Sequence, residues 1–300
     1  MFKPKGVIPA LVTPLDKSGN LMEDALRQLI DYTISGGVHG LFILGSSGEI
    51  YGLTHEQKRR VVELTVEHTA KRVPIYCGAS EITTRDCIQT ANMVKEIGGV
   101  SALSVLTPYF LTPNQSELVD HFTAIAKATD LPIILYGNDA RTQVKIDVKS
   151  CEILSKIENI IGIKDSSGDM TKMAEYLRVT DRETFSVLAG RDTLIYSGLC
   201  HGGTGAIAST GNIAPKLVSE IYNTFIAGDQ QKSLELQLKL SPLRLCVDKA
   251  TFPVVLKEGL KMVGIDVGYA LAPAGEMSPE SKQLLASVLK DLELYQTINS

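Results

Sequence analysis

Hydrophobic positions along the chain fall into two alternating patterns: short apolar runs, and longer stretches with apolar residues at helical spacing. The runs Val7–Thr13, Gly40–Gly45, Pro74–Ala79, Ala102–Thr107, Pro132–Tyr136, Ile160–Lys164, Phe185–Ala189 and Gly205–Ser209 read as strands. They are rich in Val, Ile and Leu on both faces, which suits a parallel sheet covered by helices. Between them, Glu23–Ser35, Asp86–Ile97 and Val148–Ile157 carry the helical period, as do stretches opened by Thr54 and near Asn114. Thr54 with Gln57, and Asn114 with Glu117, have the spacing of capping boxes. Beyond about Phe225 the strand pattern stops. Asp229–Leu245, Phe252–Val263 and Ser278–Leu294 then read as helices, the last with Pro279 at its first position.

This rhythm predicts an α/β fold: a (β/α)8 TIM barrel over residues 1–226 with a C-terminal helical extension over 227–300. A doubly wound open sheet is the alternative, but no Gly-x-Gly-x-x-Gly follows the first strand. Composition adds limits. The 44% hydrophobic and 21% charged content over 300 residues is that of a soluble globular protein with a sizeable core. A net charge of −4 gives no footprint for nucleic acid or an anionic membrane, and no apolar run has the length of a membrane span. Met1 to Thr13, with Pro4 and Pro9 and no clear cleavage site, does not read as a signal peptide. The five cysteines, 77, 87, 151, 200 and 246, form no Cys-x-x-Cys pair, so reduced thiols and a cytoplasmic location are expected. The five histidines form no His-Glu-x-x-His, so no metal site is expected.

In such barrels functional groups stand after the strands' C-terminal ends. Those positions collect Thr13, Ser46, Ser47, Ser80, Thr107 with Tyr109, Tyr136, Lys164, Gly190 and Ser209. Lys164 ends the run Ile160-Ile-Gly-Ile-Lys164, where apolar walls disfavour an ammonium and favour the free amine that attacks a carbonyl. A strand-end lysine snorkelling to water is the plain alternative. Tyr136 ends the neighbouring strand and offers a phenol to move protons beside that amine. The loop Gly45-Ser46-Ser47-Gly48-Glu49 has glycines that let backbone N–H groups turn inward beside two hydroxyls, making a small-anion cradle.

The GSSGE loop, Pro132-Ile-Ile-Leu-Tyr136, Gly162-Ile-Lys164-Asp165 and Gly205-Ala-Ile-Ala-Ser209 occur in one order and spacing. In this the chain, from about Gly6 to Leu294, resembles the dihydrodipicolinate synthase / N-acetylneuraminate lyase family of pyruvate-dependent class I aldolases. The resemblance implies that Lys164 is the Schiff-base residue, Tyr136 the proton shuttle, Ser46 a relay and Ser47 a ligand of the pyruvate carboxylate. It further implies that Gly190, Ile207 and Tyr109 bind substrate and that Arg141 recognises the carboxylate of an acidic aldehyde such as aspartate semialdehyde. The imine between Lys164 and pyruvate replaces any cofactor. The expected partners are small molecules and three further copies of the chain, in a homotetramer built as a dimer of dimers.

Two departures from the family pattern are visible. Phe110 stands where a second tyrosine is usual, and Gly137-Asn138-Asp139 replaces Asn-x-Pro. Aldolases of 2-keto-3-deoxy sugar acids and N-acetylneuraminate lyases therefore remain alternatives, as does a dehydratase working through the same imine. A phosphate-binding barrel using Gly190-Arg191-Asp192 and a non-catalytic keto-acid-binding barrel are the remaining readings.

Overall fold

The computed structural model describes residues 2–295. Residue 1 of the expected barrel and residues 296–300 of the expected extension lie outside the described residues. Eight parallel strands form one sheet: β1 Gly6–Pro9, β2 Leu41–Ile43, β3 Ile75–Gly78, β4 Ala102–Leu106, β5 Ile133–Gly137, β6 Ile160–Asp165, β7 Ser186–Ala189 and β8 Gly205–Ala208. Pairing runs from β1 through β8 and down in order to β2. The chain just past β1 then joins β2, where Leu11 N–H donates to Phe42 O at 2.8 Å and Ala10 bridges Phe42. His39 N–H also donates to Val7 O at 2.9 Å, so the sheet closes and the open-sheet alternative fails.

Five of the strands end earlier than the apolar runs suggest, β7 ends with its run, and β5 and β6 go one residue past theirs. The run Val7–Thr13 is strand only to Pro9, because beyond Ala10 its backbone turns to other partners: Val12 N–H donates to the Asn212 side chain at 3.0 Å. Ile8, Ala10, Phe42, Tyr76, Ala102, Ile134, Ile161, Leu188 and Ile207 form the core inside the barrel. A larger apolar layer lies between the strands and the surrounding helices. Alternation carries inward Ile134 to Tyr136 at the mouth, and the register shift at Ile133/Ile134 sets Gly162 beside Ile134 and Lys164 beside Tyr136.

The helices of the barrel are α1 Glu23–Ser35, α2 His55–Thr69, α3 Thr84–Ile97, α4 Gln115–Ala128, α5 Asp139–Thr142, α6 Val148–Leu154, α7 Met170–Val179, α8 Ile195–Cys200 and α9 Pro215–Ile226. Both expected capping boxes form, at Thr54 with Gln57 and at Asn114 with Glu117. The single turn α5 has no counterpart in the apolar pattern, being too short to show a period. α10 Gln230–Cys246, α11 Val254–Met262 and α12 Pro279–Asp291 follow. Pro279 stands at the first turn of α12, and Ser278 caps it by accepting from Ser281 N–H. Gln237 of α10 is stitched to the loop after β7: its amide donates to Asp192 O at 2.9 Å and accepts from Tyr196 N–H at 2.9 Å. α10 thereby lies over one side of the barrel mouth. Among the described residues no helix is long and apolar enough to cross a membrane.

Candidate active site

A cavity of about 440 Å³ opens at the C-terminal ends of the strands. Ser46, Ser47, Tyr136, Arg141, Lys164, Gly190 and Ile207 all line it, so seven of the expected site residues come together. Tyr109 does not. It is half-buried outside that lining, and burial, with Glu81 adding to the effect, pushes its phenol up to about 12. The position after β4 sends this side chain toward the pair Lys58 and Glu81, joined at 2.6 Å, instead of the mouth. The hydroxyls of Thr13, Ser80 and Thr107 also serve structure. They bond Gly48 O at 2.7 Å, Ser104 O at 3.3 Å and Thr142 Oγ1 at 2.8 Å respectively.

Lys164 and Tyr136 are register partners on adjacent strands. The Lys164 Nζ lies 4.0 Å from the centre of the Tyr136 ring and 5.1 Å from that of Phe42, with only 5% of the residue exposed. The amine therefore does not snorkel. A glycine sits two residues below it of necessity: a Cβ at Gly162 would come within 2.6 Å of Ser186 O. Burial alone would raise the Tyr136 phenol. The charge of Lys164 and the polar groups of Asn138, Ser46 and Ser166 outweigh it and bring the phenol down to about 8. Asn138 Nδ2 donates to the phenol oxygen at 3.1 Å.

The two-serine loop is held from below. Thr13 Oγ1 donates to Gly48 O at 2.7 Å, and Glu49 N–H donates to Ser46 O at 3.3 Å. The backbone N–H groups of Ser46, Ser47 and Gly48 donate to no group among the described residues. Those three donors and the buried Ser47 hydroxyl fit a small anion. Glu49 closes the loop in a left-handed backbone conformation, φ 55°, with its carboxylate 2.7 Å from the Lys257 ammonium. On the opposite side, Gly190 presses on β6: its N–H donates to Asp165 O at 2.7 Å, and a Cβ there would meet Ser166 Oγ at 2.1 Å. Only a glycine fits.

Arg141, on α5, is exposed and stacks over Phe252 at 4.4 Å. In the departing loop, Asp139 is fixed by an ion pair of 2.9 Å with Lys172 of α7, which anchors the turn that carries Arg141. Phe110 is 91% exposed and lies outside the cavity, at φ 71°. The sequence reading missed Asn138, Ser166, Arg244 and Phe252. Ser166 stands two residues past Lys164, a position its strand-end spacing makes findable. Arg244 and Phe252 come from the extension, where no local pattern points to the mouth.

Residues 3–292 match the Dihydrodipicolinate synthetase family. The chain is 36% identical over 290 residues to a 4-hydroxy-tetrahydrodipicolinate synthase of Phenylobacterium zucineum, covering 97% of this chain and 98% of that one. Its fold superposes on a dihydrodipicolinate synthase from Aquifex aeolicus with a TM-score of 0.94 at 31% identity, over 98% of this chain and 100% of the other. YagE, a prophage protein of that family from E. coli K12 solved in complex with pyruvate, is similar with a TM-score of 0.92 at 28% identity, over 97% and 99%.

Proposed function

Since the chain belongs to the dihydrodipicolinate synthetase family, we propose that it is a class I pyruvate lyase that joins pyruvate to an acidic aldehyde such as aspartate semialdehyde. One observation carries this reading. A buried amine lies 4.0 Å from the ring of a phenol held at about 8, beside a loop with unspent N–H donors. In this reading the loop of Ser46 and Ser47 holds the pyruvate carboxylate, and Lys164 Nζ attacks the keto carbon. Tyr136 passes protons as the carbinolamine loses water, then takes one from the methyl carbon to give the enamine. The enamine carbon bonds the aldehyde carbon while Arg141 holds that substrate's carboxylate. The imine supplies the electron sink, so the reaction calls on no metal or organic cofactor.

Borohydride reduction in the presence of pyruvate tests this directly. Mass spectrometry should find a pyruvyl adduct on Lys164 in the wild type and none in Lys164→Ala. An unlabelled wild type, or a labelled Lys164→Ala, ends the reading. A second reading, cleavage of 2-keto-3-deoxy sugar acids, is favoured by Phe110, whose ring has no proton to pass. Product assays with aspartate semialdehyde against 2-keto-3-deoxygluconate separate the two.

The exposed Phe110 and Leu111 support assembly with further copies of the chain, in the expected homotetramer. Five free cysteines, four of them buried, support a reducing, cytoplasmic setting.

A further inference from the structure

Two cationic side chains in the cavity have no part in the scheme above. Arg191 follows β7, and Arg244 enters from α10. The two elements are stitched together by Gln237, which bonds the loop after β7 and stands two helical turns before Arg244 on the same buried face as Leu240. The Arg191 guanidinium makes no hydrogen bond or ion pair with any described residue. Arg244 is 9% exposed and has one partner, Asp248 Oδ2 at 3.1 Å from Nη1, so its Nη2 and Nε remain unspent. The cavity lining carries two carboxylates, Asp192 and Asp248, against three guanidinium groups. Asp192 is taken by Ser209 Oγ at 3.2 Å and by the N–H and hydroxyl of Thr210, each at 2.6 Å. Asp248, the ion-pair partner of Arg244, is 64% exposed.

With Arg141, three guanidinium groups line one cavity, each a fork of N–H donors that matches phosphate geometry. One aldehyde carboxylate uses one fork. The loops after the seventh and eighth strands of such a barrel are also where phosphate groups commonly sit, and here they supply Arg191 and Ser209.

We propose that Arg191 and Arg244 form a second anion site that takes the phosphate monoester of a hydroxyaldehyde, so that the enzyme also joins pyruvate to phosphorylated aldehydes. The proposal rests on the pyruvate-imine reading. The enamine carbon forms a bond to the aldehyde carbon, and the aldehyde's π electrons move to its oxygen, which takes a proton. Water then cleaves the imine, freeing Lys164 and a 4-hydroxy-2-keto acid that still carries its phosphate.

The matched pair glyceraldehyde 3-phosphate and glyceraldehyde tests it, each with pyruvate and the full-length enzyme. The wild type should favour the phosphorylated member at least tenfold in kcat/KM, with inorganic phosphate competing against it. Arg191→Gln and Arg244→Gln should each cut that preference about tenfold and weaken the competition by phosphate. Pyruvate trapping on Lys164, run on every variant, reports whether folding and imine chemistry persist. Trapping with a preference near one overturns the phosphate site alone, and so does a preference that both variants retain. Failure of trapping in the wild type overturns the pyruvate reading and this proposal together.

Discussion

Lys164 and Lys257 are both shut away from water, at 5% and 3% exposure, and the fold treats them in opposite ways. Lys257 meets Glu49 Oε1 at 2.7 Å and donates to the Tyr269 carbonyl, while Glu49 Oε2 accepts Leu271 N–H at 2.7 Å. Burial lowers the Lys257 ammonium from its ordinary value, and Glu49 opposes that lowering. Lys164 meets the faces of two rings and makes no ion pair with any described residue. A carboxylate turns a buried lysine into a strut. Ring faces leave the nitrogen lone pair, once its proton has gone, directed at whatever enters the cavity. The strut also serves the reactive amine, because Glu49 terminates the loop that carries Ser46 and Ser47.

One substitution made at both positions separates the roles. Lys164→Met should lower kcat/KM by about 10⁴-fold or more while the protein unfolds no more readily than the wild type, since no buried charge loses a partner. Lys257→Met should cost about 3–5 kcal/mol of stability in urea titrations, because Glu49 is left buried and unpaired. Adding Glu49→Gln to Lys257→Met should restore part of that loss. If Lys257→Met unfolds like the wild type, the strut is not one. Tyr136→Phe should lower kcat about 10²–10³-fold, within the range for a lost proton shuttle. With the phenol held at about 8, the wild-type rate of imine trapping should climb through pH 8, and the variant should lack that rise.

The register of Tyr136 against Lys164 was readable because both end apolar runs in consecutive βα units, and parallel strands in such a series pair in order. The GSSGE loop was readable as a turn after β2, because its glycines allow backbone conformations that other residues resist; the pattern by itself is that of many ordinary turns. Tyr109 stands outside the cavity lining because a strand end fixes where the backbone stops, not which way the third residue after β4 turns. Arg244 was invisible because its place depends on how α10 folds back across the mouth, a matter settled by Gln237 and the loop after β7, far away in sequence. The pairing of Lys257 with Glu49 spans more than two hundred residues for the same reason. Local pattern reports which groups face the core; which buried groups meet is decided by closure.

The smallest expected effect belongs to a third buried base, His121, which lies beneath the exposed Leu111 and outside the active cavity. Its Nδ1 is 2.8 Å from Thr84 Oγ1, its Nε2 is buried without a partner, and Phe122 packs against its ring. Burial lowers the imidazole from 6.5 to about 4, so the ring is neutral in the folded protein at neutral pH. An unfolded chain binds that proton at 6.5 and the folded one does not. Stability from this group is therefore complete above pH 6.5 and drains away as pH falls toward 4, by about 3 kcal/mol. His121→Phe fills the site without a titrating group. Its unfolding free energy should fall less than the wild type's between pH 7 and pH 4, by about that amount. Equal slopes would mean that the ring is hydrated or paired, and that of the buried bases only Lys164 is held without a counter-charge.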